Sequence, residues 1–167
     1  MELRRPTLVD QVTILEMIEE FCQSNSSTDG FLGRENVVYE EWLEANTNAE
    51  MGLGLPEGFV PFIQYVSFDE NGRALGFLNL RLRLNDKLLQ HGGHIGYCIR
   101  PSECGKGYAK EQLRLGLIEA RSKAISRVLL TCHVDNEASR RTILSQGGQL
   151  ENQVDGTERY WIDLERE

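Results

Sequence analysis

The segment RPSECGKGYAKEQL, residues 100–113, runs a proline, two glycines and a lysine into the start of a helical pattern. Such a segment can hold a phosphate. Pro101 keeps Arg100 out of helical geometry, so the chain turns before the helix begins. Gly105 and Gly107 can take backbone angles that other residues avoid, and they let a ligand approach the main chain closely. The first turn of the following helix leaves amide N–H groups unpaired, its dipole favours an anion, and Lys106 can add a charge. Taken alone, the two glycines fit a tight turn as well as a phosphate cradle. The P-loop pattern fails because Gly107 follows Lys106 where serine or threonine is needed. The dinucleotide fingerprint fails because no third glycine follows at the required offset and no acidic residue ends a second strand.

The elements around this loop alternate in period. LRRPT suggests a short first strand, with Asp10 as N-cap of a helix whose apolar face carries Ile14, Leu15, Ile18, Phe21 and Cys22. SNSSTDG, residues 24–30, has loop composition, Tyr39, Trp42 and Leu43 suggest a second helix, and MGLGLPEG after it reads as irregular. Strands at 62–68 and 74–84 flank Asn71-Gly72, a strong hairpin signal; the second alternates Leu78, Leu80, Leu82 and Leu84 against Asn79, Arg81 and Arg83, as a half-buried antiparallel strand does. A strand at 94–99 precedes the glycine loop. Ala109, Leu113, Leu117, Ala120 and Ala124 then mark a helix, 127–134 a buried strand, 136–148 a helix, and Asp155-Gly156 the turn of a closing hairpin. This order predicts a single α/β (α+β) domain over residues 1–167, built on a mixed, mostly antiparallel sheet.

Composition narrows the function classes. A chain of 167 residues with 26% charged and 40% hydrophobic residues is an ordinary globular protein. Its net charge of −8 argues against nucleic acid as a partner. No apolar run is long enough for a membrane span, and the start MELRRPTLVD has no secretory core, so a cytoplasmic location is expected. Cys22, Cys98, Cys104 and Cys132 lie far apart with no CxxC pair, which predicts reduced thiols and no metal site. Cys104 sits beside a helix N-terminus, where a thiol pKa can fall, but no base is placed next to it. Tyr97 and His133 read as core. Arg81 and Arg83 fit a solvated strand face as well as an anion-binding one.

The run IRPSECGKGYAKEQLRLGLIEA, then a strand, then VDNEASRRTILSQGG, resembles the core of the GNAT superfamily of acyl-coenzyme A-dependent N-acetyltransferases. The resemblance covers residues 94–150, and the order of the flanking elements is similar. It implies a central sheet splayed at a cofactor cleft and flanked by helices. It also implies acetyl-coenzyme A as co-substrate, with backbone amides near Cys98, Ile99 and Arg100 on the pantetheine arm. In the same way Glu103, Cys104, Gly105, Lys106, Gly107, Tyr108, Ala109 and Lys110 would hold the pyrophosphate, and Asn136 and Ser139 would contact the arm from the other side, unless the latter two only cap and pack a helix. His94, in the strand bordering the acetyl site, is the base candidate, its alternative being a satisfied strand-end histidine.

The implied activity is transfer of acetyl to a primary amine, on a small molecule or a peptide, by direct attack. Two positions depart from the family pattern. Ser102 stands where the loop usually has Gln or Arg, and Ile143 stands where a tyrosine often protonates the leaving thiolate. Ile143 and the unsettled identity of the base keep a second reading open, that of an acyl-coenzyme A binding or sensor domain with weak catalysis. The aromatics Tyr39, Trp42, Tyr160 and Trp161 lie in the segments that select the acceptor in this family, and the edges of the closing hairpin suit a homodimer.

Overall fold

Between the runs at 62–68 and 74–81, Asp69 folds the chain back: its Oδ1 accepts the amides of Asn71 and Arg73 at 2.8 and 3.0 Å, while Gly72 takes φ +79°. The resulting strands, β2 (Phe62–Phe68) and β3 (Ala74–Arg81), pair from Phe62 with Arg81 to Phe68 with Ala74. The computed structural model describes residues 1–26, 28–31 and 37–165. On either side of this hairpin lie β1 (Glu2–Arg4) and β4 (Ile95–Ile99), giving an antiparallel sheet of order β1-β2-β3-β4. A second antiparallel sheet has the order β5-β7-β6, from β5 (Arg127–His133), β6 (Gln149–Val154) and β7 (Thr157–Asp163). The helices are α1 (Gln11–Ser24), α2 (Tyr39–Glu50), a short α3 (Asp86–Gln90), α4 (Tyr108–Ser122) and α5 (Glu137–Ser145).

The sequence predicts β3 half-buried, yet it is buried on both faces. Helices cover both sides. Leu78 and Leu80 join Leu113, Leu117 and Ala120 of α4 in one core. Phe77, on the opposite face, joins Ile14, Met17 and Phe21 of α1 and Trp42 of α2 in the other, stacked on Phe31 at 4.3 Å. Each fully buried leucine contributes about 1.5–3 kcal/mol of transfer free energy. The polar residues on that second face are linked, Asn79 Nδ2 donating to Gln64 Oε1 at 3.2 Å and Gln64 Nε2 to the Gly30 carbonyl at 2.7 Å, while Asn79 Oδ1 is buried without a partner among the described residues.

Three smaller expectations are corrected. Asp10 precedes α1, but its carboxylate takes Arg4 and Thr7 and leaves the helix amides alone. Cys22 is exposed and Met17 takes the buried place on the α1 face. His133 is exposed at the end of β5, its Nδ1 accepting the Asp135 amide at 3.1 Å. Among the described residues, no helix is long and apolar enough to cross a membrane.

Candidate functional site

The two sheets meet at one joint. His94 N–H donates to the Leu129 carbonyl at 2.8 Å, and the Leu129 amide donates to His94 Nδ1 at 2.9 Å. Gly93, at φ +63°, has no room for a side chain, because a Cβ would lie 2.3 Å from the Leu129 oxygen. Beyond this point β4 and β5 form no ladder with each other. A cavity of about 280 Å³ occupies the gap, between Gly96 and Tyr97 on one wall and Thr131, Cys132, Asn136 and Ser139 on the other.

The backbone of β4 sorts the expected cofactor contacts. The Arg100 amide donates to the Leu75 carbonyl at 2.8 Å, so it is spent on β3. Alternation along an antiparallel ladder turns the Cys98 and Gly96 amides the same way, and turns those of Tyr97 and Ile99 toward the open side. Of Cys98, Ile99 and Arg100, Ile99 alone therefore offers its amide to the cleft, and Tyr97 joins it. The Arg100 side chain is a peg: it is 4% exposed and bonds the Glu20 carboxylate and the Ala74 carbonyl. Glu20 also accepts the Ser102 amide and hydroxyl, fixing the loop to α1.

After a 3-10 turn at Pro101–Glu103, Gly105 and Gly107 take φ +80° and +83°, and α4 starts at Tyr108 with no side chain capping it. A Cβ at either glycine would meet nothing within 4 Å, so the glycines serve conformation and the space before the helix is open. The first-turn amides of α4, including Tyr108, Ala109 and Lys110, thus face outward without a protein cap. Lys106 lies here but pairs with Glu103 at 2.8 Å, and Glu103 in turn meets Arg73 at 3.2 Å. Cys104 Sγ sits 3.6 Å from the Ile99 and Arg100 carbonyls, and burial followed by the nearby Glu20 charge pushes its pKa up, opposite to the helix-terminus expectation. Behind the loop, buried Gln112 of α4 donates to the Phe77 and Cys98 carbonyls, which locks the helix onto β3 and β4.

On the far wall, Asn136 Oδ1 caps α5 by accepting the Ser139 amide at 3.1 Å. Ser139 Oγ lies 3.1 Å from the Tyr97 hydroxyl, which spans the cleft. Burial is the main reason the Tyr97 phenol is pushed up to about 12. Ile143 is fully buried in the core. His94 does not suit the base role: its Nδ1 lone pair is taken by Leu129, and burial, with Arg81 nearby, lowers its pKa to about 4.

Toward the α1–α2 side, Arg81 borders both the cleft and a second cavity of about 210 Å³ lined by Phe59, Phe62, Lys87 and His91. Phe59 and Phe62 also wall a chamber of about 520 Å³ with Phe31 and Trp42. Of the four aromatics expected near the acceptor, Trp42 lines this chamber. Tyr39 and Tyr160 are core, and Trp161 donates to Glu151 on the closing sheet. Among the described residues no cluster of His, Cys, Asp and Glu could hold a metal ion.

The family model of the acetyltransferase (GNAT) domain matches residues 2–149. The chain belongs to the GNAT acetyltransferase family. No curated protein matches the sequence significantly. Solved structures share the GNAT fold at low identity. One is yncA of Salmonella typhimurium, solved with its cofactor acetyl-CoA (20% identity, 99% of this chain and 95% of that one, TM-score 0.66). A second, also from Salmonella typhimurium, is the acetyl transferase that modifies the N-terminal serine of ribosomal protein L7/L12 (18%, 96% and 93%, TM-score 0.65). A third is a point mutant of spermidine N-acetyltransferase SpeG from Vibrio cholerae (15%, 98% and 95%, TM-score 0.63).

Within this GNAT domain, sequence reasoning misses the roles of two residues and leaves a third undecided. Tyr97 reads as core and in fact spans the cleft. Arg81 fits a solvated strand face and an anion-binding one equally well, and the structure sets it between the cleft and the second cavity. Gln112 stands among apolar neighbours on the buried face of α4, and a polar residue in that stripe was the clue to its bonding role.

Proposed function

We propose that this GNAT domain moves an acetyl group from acetyl-coenzyme A to a primary amine by direct attack in a ternary complex. The observation that carries this reading is the uncapped N-terminus of α4 behind Gly105 and Gly107, at the end of a cleft whose β4 wall presents unspent amides. The residues fit the co-substrate. The segment from Glu103 to Lys110 holds the pyrophosphate through main-chain N–H groups, where a helix N-terminus favours anions. Tyr97 and Ile99 amides take the pantetheine arm and polarise the thioester carbonyl. Asn136 and Ser139 line the other side. Bound acetyl-coenzyme A supplies the activated acetyl group. The amine nitrogen bonds to the acetyl carbon, the carbon–sulfur bond breaks with its electron pair left on sulfur, the sulfur takes a proton, and the nitrogen gives one up to solvent, from which the proton donor is replenished.

With Ile143 in the core, the Tyr97 phenol is the group we assign to protonate that sulfur. It is fully protonated at neutral pH and points to the α5 wall. The attacking amine enters in its neutral form, since His94 cannot take its proton. The reading extends to homodimer formation through the open edge of β6, where Leu150 is 54% exposed; light scattering measures the mass in solution.

Ile143 also keeps a second reading in play, an acyl-coenzyme A binding or sensor domain. Calorimetry with acetyl-coenzyme A, followed by thiol release over a broad amine panel, separates the two. Saturable binding with turnover supports the transferase, binding without turnover supports the sensor, and no binding overturns both.

A further inference from the structure

Arg81 is the last residue of β3, and its guanidinium is largely enclosed. Among the described residues its side chain makes one hydrogen bond, from Nη1 to the Gly92 carbonyl at 3.2 Å. Among the same residues it meets no carboxylate at ion-pair distance, whereas the buried or half-buried guanidinium groups of Arg4, Arg100, Arg140 and Arg159 each have one. A charge out of water without a partner is unfavourable, and a guanidinium stays protonated under such pressure rather than becoming neutral. Burial lowers the Arg81 pKa, with Asp29 the opposing influence. The fold therefore keeps an anion-binding fork in place that no carboxylate among the described residues fills.

The location gives the fork a purpose. Both terminal nitrogens lie against Gly96 of β4, where an added Cβ would come within 3.1 and 3.2 Å of them. Gly96 and Tyr97 form the wall of the reaction cleft, so an anion on Arg81 is held beside that wall. Lys87 borders the adjoining cavity and adds a second positive charge, while Asp29 lines the cleft without pairing to Arg81.

We propose that the acceptor is an amine that carries a carboxylate, on the scale of an α-amino acid, and that Arg81 holds this carboxylate in a two-pronged bond. This deepens the acetyltransferase reading and rests on it. The bidentate match between guanidinium and carboxylate fixes the acceptor's orientation as well as its sign. Asp29 lines the cleft and offers a carboxylate to accept a hydrogen bond from the neutral amine nitrogen. The aromatic chamber beyond Phe59 and Phe62 receives the side chain. A polyamine brings only positive charge to Arg81, and the N-terminus of a peptide has an amide where the carboxylate is needed, so both are disfavoured.

The test compares each α-amino acid with its own amide, using thiol release from acetyl-coenzyme A, in the wild type and in Arg81→Gln and Arg81→Lys. The expected result is a kcat/KM at least about 50-fold higher for the acids, as for a charge-assisted pair in a desolvated site. Arg81→Gln should bring acid and amide to within a few-fold of each other, and Arg81→Lys should keep part of the preference. Coenzyme A binding by calorimetry shows that each variant is folded, and the acid-to-amide comparison in the wild type stands even if a variant is not. Turnover with equal rates for acids and amides, or with preference for polyamines or peptides, overturns the carboxylate assignment and leaves the transferase standing. Bound acetyl-coenzyme A with no turnover of any amine overturns the transferase reading itself, and this proposal with it.

Discussion

The two ends of the cleft are built from different materials. On the proposed reading the α4 end works through main-chain amides, shaped by Gly105 and Gly107 and left uncapped by any side chain. At the β3 end the working group is one side chain, Arg81, whose significance comes from what covers it. A backbone site tolerates sequence change so long as the turn survives, whereas a side-chain site is lost with one substitution. The first suits a ligand common to a large family and the second suits a ligand particular to one member.

The sharpest way to break this comparison is to damage each end and ask whether the other responds. Gly107→Glu puts a residue with a Cβ at φ +83° and a negative charge into the anion site. Acetyl-coenzyme A affinity should fall by about 100-fold or more, equivalent to about 3 kcal/mol. The left-handed conformation itself costs about 1–2 kcal/mol, a loss of about 2–8 °C in Tm that differential scanning calorimetry would show. Arg81→Gln should do the reverse, lowering kcat/KM for the acceptor by about 30–100-fold, the worth of a charged hydrogen-bonded pair, with coenzyme A affinity within about twofold of wild type. If either change weakens both ligands equally in binding titrations, the two ends are one coupled site and the division fails.

Between the ends stands Tyr97, which has an amide for one ligand and a phenol for the chemistry. Tyr97→Phe keeps the amide and removes the proton donor. A drop of about tenfold in kcat with unchanged coenzyme A affinity is expected, modest because a thiol with a pKa of about 8.5 can leave unaided. The matching change, Ile143→Tyr, restores the family's usual residue at a position that this chain buries in its core. Ile143 has no exposed surface and a Cβ on Gly148 would sit 2.5 Å from its Cγ2, so the ring has no room. Overpacking of about 1–3 kcal/mol should lower Tm by several degrees without raising kcat. A gain in kcat would show instead that the acid belongs on α5.

How much of this was legible in the sequence follows the same division. Pro101, Gly105, Gly107 and Asn136 are local signals, because turn and cap chemistry acts on the residues next to it, and their positions survive in the structure. The period-2 pattern of β3 and the Asn71-Gly72 turn were equally readable. What could not be read was the environment of Arg81, since β3 is covered by α1 and α2 on one face and α4 on the other, and no residue within the strand says so. The same holds for Tyr97: from its strand it reads as core, and its reach to Ser139 depends on where α5 docks. The splitting into two sheets was hidden for a like reason, as the joint is a contact between residues 35 apart in sequence.

That joint supplies the finest test, because His94 holds the two ends together while contributing to neither. In the folded protein its imidazole stays neutral down to about pH 4, with Nδ1 accepting the Leu129 amide and burial opposing the charged form. In the unfolded chain it takes up a proton near pH 6.5. Below pH 6.5 the unfolded state therefore binds more protons, so the contribution of His94 is complete above that pH and is lost as pH falls toward 4. The loss approaches about 1.4 kcal/mol per pH unit and totals about 3 kcal/mol. His94→Gln keeps an acceptor oxygen for Leu129 and removes the titration. Urea unfolding at pH 7.0, 5.5 and 4.5 should show the stability gap between wild type and variant narrowing as pH falls, with no inflection near 6.5 in the kcat/KM profile of either. A gap that stays constant would mean that the imidazole titrates normally in the folded state, which would return His94 to contention as the base and loosen the joint on which the cleft depends.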